Sequence, residues 1–333
     1  FDVFENWPRC ACRRINLLGY ITEKAHYNDA GEPMPLTIIL NPYSNRWEAG
    51  KSAPEIESGF KNAGIEFNLQ LTESGGHASE LAQQAVLSGN TPIIAVGGDG
   101  LISEVVNGMM GVVTDNQLPP VTLGLIPMGT ANDLTDVIGI SENIDEAIET
   151  IAAGHIRTID LGKVNGHYFG VNAAIGLEPM VTIENIRLTK VKGVVRYLLS
   201  AILAIFKNPS WDAHLKWDDQ EYKGTIKLVS VGNTNRTGEI FYMTPNAKID
   251  DGYLDFVFAP AMGILRTFQI LPKTQKGIHI HEPEVQEHRT KRLEIHTTTP
   301  TAIQADGEII ETGTTEIIFE VLPGALNIFS PKS

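Results

Sequence analysis

An apolar run, Ile93 to Val96, stops at Gly97-Gly98-Asp99-Gly100, and a helix-like pattern begins directly afterwards. Glycine is required where a side chain would clash, either with its own backbone at positive φ or with a group that approaches closely. A glycine loop between a strand and a helix presents unpaired backbone N–H groups, and the helix dipole adds to their pull on an anion. Gly97, Gly98 and Gly100 therefore point to a phosphate held against the backbone. Asp99 would repel that phosphate unless a divalent cation lay between them, which is how Mg²⁺ commonly meets nucleotides. A tight strand-to-helix turn with a surface aspartate accounts for the same residues. A second stretch, PMGTANDL (127–134), offers a hydroxyl at Thr130 that can donate to a phosphate and a carboxylate at Asp133. Asp133 could share a cation with Asp99, cap the helix that follows, or do both. A third stretch, ADGE (305–308), holds Asp306 and Glu308 and, taken alone, reads as an exposed acid pair at a turn between strands.

The elements that must position these loops alternate along the chain. LTIIL (36–40) is a buried strand stopped by Asn41-Pro42. APEIESGFKNAG (53–64) has helical spacing and closes at Gly64; IEFNLQLT (65–72) alternates as a strand; HASELAQQAVLSG (77–89) is a helix closed by Gly89. PIIAV (92–96) and VTLGLIP (121–127) are further strands, and NIDEAIETIAAG (143–154) a further helix. Such alternation gives a doubly wound parallel sheet with helices on both faces, and ligands of such sheets sit at the carboxyl ends of the strands. Asn41, Thr72, Gly97 to Gly100 and Gly129 to Asp133 all fall there, one group after each strand. His77, after Gly75-Gly76, opens a helix near that edge and is expected to fix the turn.

Beyond about residue 156 the pattern becomes β-rich. Asn165-Gly166 is a hairpin signal, and GYLDFVFAP, KRLEIHT, TAIQADGEII and TEIIFEVLP read as short strands of a sandwich. One segment differs: residues 183–208 carry Arg187, Lys190, Lys192 and Arg196, then the apolar run YLLSAILAIF. It reads as a core helix with a solvated start, or as a basic, apolar helix able to dock on an anionic membrane surface. His279 and His281 alternate on what reads as one strand face, without an evident third ligand for a metal.

The chain has 333 residues, 42% of them hydrophobic and 20% charged, so a core of roughly two domains can form. An excess of 40 acidic over 26 basic residues, a net charge of −14, argues against a nucleic-acid partner. Cys10 and Cys12 are the only cysteines, so there is no disulfide framework, and a reducing cytoplasm suits the composition. No apolar run reaches the roughly 18–20 residues that span a bilayer. Residues 1–32 lack clear periodicity and read as an N-terminal extension without the apolar core of a signal peptide.

From Leu36 onward the ordered set NPYSN (41–45), LTESGGHASELA (71–82), GGDGLISEVVNG (97–108), PMGTANDL, AKIDDGYLD (247–255) and ADGE resembles the bacterial diacylglycerol kinase and sphingosine kinase-like lipid kinases. The glycine–aspartate loop alone would also fit NAD kinase or phosphofructokinase. The resemblance implies an NAD kinase/phosphofructokinase-like α/β domain over 33–157, a β-sandwich lipid-substrate domain over 158–323, and a last strand (324–333) returning to the first domain. It implies ATP in a cleft between them, held by Asn41, Pro42, Ser44, Asn45, Thr72, Gly97, Gly98, Asp99, Gly100, Leu101, Ser103, Glu104, Gly129, Thr130, Asn132 and Asp133. An alcohol must lose its proton as it attacks phosphorus, and in related kinases the glutamate of DGE accepts it; that residue here is Glu308, with Asp306 orienting it or touching Mg²⁺. AKIDDGYLD is similar to a separate Mg²⁺ site formed by Asp251 and the carbonyls of Lys248 and Tyr253.

The sequence departs from the family pattern at Leu101, where threonine is usual, at Ser103, where asparagine is usual, and at Asn45, which often is glycine. Leu101 can offer a phosphate only its backbone N–H. Asparagine tolerates positive φ better than most residues, so the first loop can survive. The expectation is a cytoplasmic lipid kinase, with peripheral contact at the inner membrane face and a homodimer left open. A non-catalytic nucleotide or lipid sensor and a soluble-substrate kinase such as NAD kinase are the alternatives.

Overall fold

The computed structural model describes residues 35–116, 121–188, 191 and 193–332. The N-terminal extension with Cys10 and Cys12, and Lys190 and Lys192 of the basic segment, lie outside the described residues. The chain divides into two compact units, one formed by residues up to Thr158 together with Leu326–Ser333, the other by Ile159–Ala325.

In the first unit β1 (Leu36–Leu40), α1 (Ser44–Asn62), β2 (Phe67–Leu71), α2 (His77–Leu87), β3 (Ile93–Gly97), α3 (Asp99–Asn116), β4 (Thr122–Pro127), α4 (Asp133–Ile138) and α5 (Ile144–Ala153) follow in order. β1 pairs in parallel with β2 and β3, and β3 with β4. Leu36 to Leu40 and Ile93 to Gly97 are buried throughout, as strands covered on both faces must be. Helix ends follow the sequence signals: Gly64, Gly89 and Gly154 all have positive φ, and Asn143 caps α5 by accepting the Glu146 N–H at 3.1 Å. α1 begins at Ser44, nine residues before the periodic stretch, with Pro54 inside it. α2 and α3 approach closely at Gly108, where a Cβ would lie 2.3 Å from the Ser79 carbonyl oxygen.

The second unit opens with β5 (Ile156–Val164, entering it at Ile159), β6 (His167–Phe169), β7 (Asn172–Gly176), α6 (Leu177–Arg187) and α7 (Gly193–Phe206). β8 (Trp211–Trp217), β9 (Gln220–Gly232), β10 (Leu254–Pro260), α8 (Ile264–Thr274), β11 (Gln286–Thr290), β12 (Arg292–Ala305) and β13 (Glu308–Phe329) complete it. β9 and β12 are long enough to serve two partners. Residues 220–226 of β9 pair with β8 and 228–232 with β7, while 293–297 of β12 pair with β8 and 303–305 with β7. The sheet therefore wraps around a core that includes Phe169, Trp217, Phe256, Phe258, Phe319 and Leu293. Where short separate strands are expected, β12 and β13 run on through register shifts near Thr301 and Gln304, because bulges bend a strand without ending it. The tail of β13 belongs to the first unit, where Asn327 and Ile328 lie parallel to Thr122 and Leu123 of β4.

Two local expectations are corrected. The basic, apolar segment contributes to two helices, α6 and α7, rather than one, with Glu184 near the end of α6 pairing both Arg187 (2.9 Å) and Lys207 (2.5 Å). His279 and His281 lie on a short 3-10 helix (Ile278–His281), not a strand; His279 is buried, its Nε2 is 3.1 Å from the Met243 carbonyl oxygen, and burial holds its pKa below the ordinary value.

Candidate active site

The first unit brings the four predicted loops together at the carboxyl ends of its strands. Backbone bonds tie them: Asn41 N–H to the Val96 carbonyl (3.2 Å), Thr72 N–H to Leu40 (2.9 Å) and Met128 N–H to Gly97 (2.8 Å). The glycine loop and the Gly129 loop touch backbone to backbone, since a Cβ on Gly98 would sit 2.9 Å from Gly129 Cα. That contact is a physical reason for glycine at both positions. Asn41 Oδ1 accepts the Tyr43 N–H at 2.9 Å, and Asn45 takes φ +47°, the left-handed conformation that asparagine tolerates. Ser44 Oγ reaches the glycine loop: a Cβ on Gly97 would lie 3.2 Å from it.

Asp99 holds the Gly129–Asp133 loop. Its two carboxyl oxygens accept the N–H groups of Asn132 and Asp133, each at 2.9 Å, at the start of α4. Asn132 sits at φ +51°, and its Oδ1 accepts the Gly129 N–H at 3.0 Å. Burial first, and the neighbouring Asp133 carboxylate second, push the Asp99 pKa up to about 6, against the pull of the backbone N–H donors. The neighbouring Asp99 and Asp133 carboxylates offer hard oxygens of the kind taken by Mg²⁺, which binds proteins through one or two carboxylates and completes its shell with water and phosphate. Helix geometry leaves the first N–H groups of α3 without intrahelical partners, and Ile102 N–H already closes onto the Gly98 carbonyl at 3.1 Å. The residues present thus fit a nucleotide phosphate and its cation. Thr130 is exposed.

Three predicted residues turn to other tasks. Leu101 is buried, and its Cδ2 would lie 2.5 Å from a Cβ on Gly97, so its side chain packs over that glycine. Ser103 is buried, and its carbonyl accepts the Asn107 side chain at 2.9 Å. Glu104 accepts the N–H groups of Gly76 (2.9 Å) and Ala78 (3.2 Å), so its carboxylate caps α2. His77 fixes the same turn, with Nδ1 accepting the Glu73 N–H at 3.1 Å.

In the second unit the ADGE stretch is a two-residue hairpin: Ala305 pairs with Glu308 across Asp306 (φ +46°) and Gly307 (φ +82°). Positive φ at both central residues is the Asp-Gly signature of a type I′ turn. The Asp306 carboxylate then accepts three backbone N–H groups, from Gly170 (2.8 Å), Val171 (2.9 Å) and Asn172 (3.1 Å), while its own N–H donates to the Asn172 carbonyl at 2.8 Å. Glu308 stands exposed at the first position of β13. Gln304 Oε1 accepts the Gly307 N–H at 3.0 Å, and Gln304 and Asn172 side chains both donate to Glu178 of α6, at 3.5 and 3.3 Å. Sequence reasoning missed Asn172, Glu178 and Gln304, which lie in runs that read as plain strand or helix starts; the only signal was a polar residue in each otherwise apolar stretch.

In the DDGYLD turn, Asp251 accepts the Tyr253 N–H (3.2 Å) and the Arg289 guanidinium (2.7 Å), and Arg289 also lies over the Tyr253 ring. A cation at Asp251 would have to displace Arg289, so as arranged here these residues do not fit a metal. Asp160 secures the turn instead, accepting the N–H groups of Gly252 (2.6 Å) and Gly324 (2.7 Å). Among the described residues no cluster of three or more His, Cys, Asp or Glu forms a metal cage.

An α/β domain with a glycine–aspartate loop, in one chain with a β-sandwich-like domain carrying an acidic hairpin, defines a kinase architecture. The chain belongs to the diacylglycerol kinase family. The pattern of the diacylglycerol kinase catalytic domain matches residues 35–164, and that of the YegS C-terminal NAD kinase beta sandwich-like domain matches residues 168–330. A diacylglycerol kinase of Bacillus subtilis (strain 168) is 31% identical over 81% of this chain and 88% of its own length. One from Staphylococcus epidermidis (strain ATCC 12228 / FDA PCI 1200) is 30% identical over 89% of this chain and 92% of its own. The crystal structure of a diacylglycerol kinase from Bacillus anthracis str. Sterne superposes with a TM-score of 0.73 at 27% identity, covering 89% of this chain and 97% of that one.

Proposed function

We propose that the chain transfers the γ-phosphoryl group of ATP to the free hydroxyl of a membrane lipid, with diacylglycerol as the favoured acceptor. The observation that carries this reading is the joining of the Asp306–Glu308 turn, through Gln304 and Glu178, to the wall of an apolar pocket. That pocket is lined by Leu177, Val181, Ile205, Phe241 and Met243 among others. An apolar lining of this kind suits acyl chains.

In this reading the nucleotide is held by Asn41 to Asn45, Thr72, the backbone of Gly97 to Leu101, and Gly129 to Asp133, with Asp99 and Asp133 holding Mg²⁺. Mg²⁺, when bound, supplies neutralisation of phosphate charge, which phosphoryl transfer needs more than covalent help. The exposed Glu308 carboxylate accepts the proton of the lipid hydroxyl. Asp306 keeps Glu308 in place by pinning the hairpin to the backbone of Gly170 to Asn172. Access to lipid would come from a membrane surface: Val195, Ile202, Leu203 and Phe206 of α7 and Leu265 of α8 are exposed apolar residues, and Phe206 meets Phe268 at 5.4 Å. No helix among the described residues is long and apolar enough to cross a membrane.

The test offers labelled ATP and Mg²⁺ either vesicles of anionic phospholipid containing diacylglycerol or the soluble acceptor NAD. Label in the vesicle lipid, with the protein sedimenting on the vesicles, is expected. Label in NAD, or in neither acceptor, would overturn the reading.

A further inference from the structure

The polar side chains that line the apolar pocket are nearly all satisfied inside the protein. Lys227 donates to Asn208 Oδ1 (2.7 Å), Thr237 to Asn172 Oδ1 (2.8 Å), Thr267 to the Gly263 carbonyl (3.2 Å) and Thr274 to the Leu271 carbonyl (2.6 Å). Glu178 is the exception. Its Oε2 accepts the Asn172 and Gln304 amides, whereas its Oε1 is shielded from solvent and has no hydrogen-bond partner. Ser230 beside it also has a buried hydroxyl without a partner; it lies near enough to steady charge on Glu178 but outside a proper hydrogen bond. A buried polar atom left unpaired costs about 1–3 kcal/mol, so a native fold that keeps one calls for an explanation.

Resting on the lipid-kinase reading above, we propose that Glu178 is the polar anchor of the pocket. As a neutral carboxylic acid it donates a hydrogen bond to the ester carbonyl next to the lipid's free hydroxyl. Its other oxygen keeps the bonds to Asn172 and Gln304. Those bonds lead to the hairpin, because Gln304 receives the Gly307 N–H and Asn172 shares the Asp306 clamp. The anchor thus sets an ester carbonyl in register with the turn that bears Glu308. Part of the Glu178 side chain remains accessible where it lines the pocket. Burial raises this carboxyl to about 7, so near neutral pH about half of it already carries the proton that a carbonyl requires. Chains filling the pocket would exclude more water and favour that form further.

The full-length protein in detergent micelles is titrated, without ATP, with didecanoylglycerol and with the dialkyl ether analogue that lacks both carbonyls. The diester is expected to bind roughly 5- to 50-fold more tightly, the worth of one buried hydrogen bond. Glu178→Leu should bind both lipids alike, and Glu178→Gln, which keeps a donor and an acceptor, should restore the preference. Equal binding of the two lipids by the unmodified protein, or a preference that survives in Glu178→Leu, overturns the anchor. The unmodified protein makes the first of these tests without any variant having to fold. If it still phosphorylates diacylglycerol, only the anchor falls; if it neither binds nor phosphorylates either lipid, the lipid-kinase reading falls and takes the anchor with it.

Discussion

Asp306→Asn separates an aspartate that shapes the hairpin from one that holds a metal. The native carboxylate accepts three backbone N–H groups at 2.8–3.1 Å. Asparagine keeps Oδ1 for Val171 and Asn172 but sets an amide donor against the Gly170 N–H. Hydrogen bonds to a charged acceptor contribute about 1.5–3 kcal/mol, and the facing donors add a desolvation cost, so the expected loss is about 2–4 kcal/mol. The backbone should not contribute, since asparagine accepts φ near +46° as aspartate does. Asp306→Ala should lose about 1 kcal/mol more, because alanine resists that conformation. Trp217 is buried in the core of the same unit, so its fluorescence during urea unfolding reports the loss directly. The transfer rate should fall with the loosened turn, while the Mg²⁺ concentration needed for half-maximal rate stays unchanged. A variant as stable as the parent that needs far more Mg²⁺ would refute the clamp and make Asp306 a metal residue.

Further outcomes follow from the first unit. In chelator-treated protein, Asp99 carries a pKa raised from 3.8 to about 6, so the unfolded chain loses this proton first as pH rises. The stability present below 3.8 is then lost up to about pH 6, about 3 kcal/mol at roughly 1.4 kcal/mol per pH unit, and Asp99→Asn should flatten that stretch of the urea-midpoint curve; parallel curves would contradict it. Glu104→Ala removes the α2 cap and should cost about 1–2 kcal/mol of stability with KM for ATP unchanged; a raised KM at full stability would put Glu104 on the nucleotide. Leu101→Thr gives up a buried side chain, about 1–2 kcal/mol, without a faster transfer, because side chain 101 packs over Gly97; a large acceleration would mean that it reaches phosphate.

The loop-bearing carboxyl edge of the parallel sheet was legible because its signals are local. Strand periodicity, glycine stops and the Asn165-Gly166 and Asp306-Gly307 turns each follow from a few adjacent residues, and Asn165 and Gly166 do take positive φ. What stayed hidden depends on long-range pairing. Asp306 reaches back to Gly170 through Asn172, and Glu178 meets Gln304 across 126 residues, so no spacing rule could join them. Glu104 reads as part of the glycine loop because it follows it closely, yet it serves a helix that begins 27 residues earlier in the chain, at His77. The histidines of 279–281 misled because alternation over three residues cannot tell a strand from one turn of 3-10 helix.

The most direct test of the central claim gives the protein γ-labelled ATP, Mg²⁺ and a mixed cellular lipid extract, and compares it with Glu308→Ala. Glu308 is exposed at the start of β13, so its loss should leave the fold and lipid binding intact. The account predicts label in a chloroform-soluble product with the native chain and essentially none with the variant. Labelled lipid formed equally by both would show that the hairpin glutamate is not the base, and ATP binding without labelled lipid from the native chain would make the protein a sensor rather than a kinase.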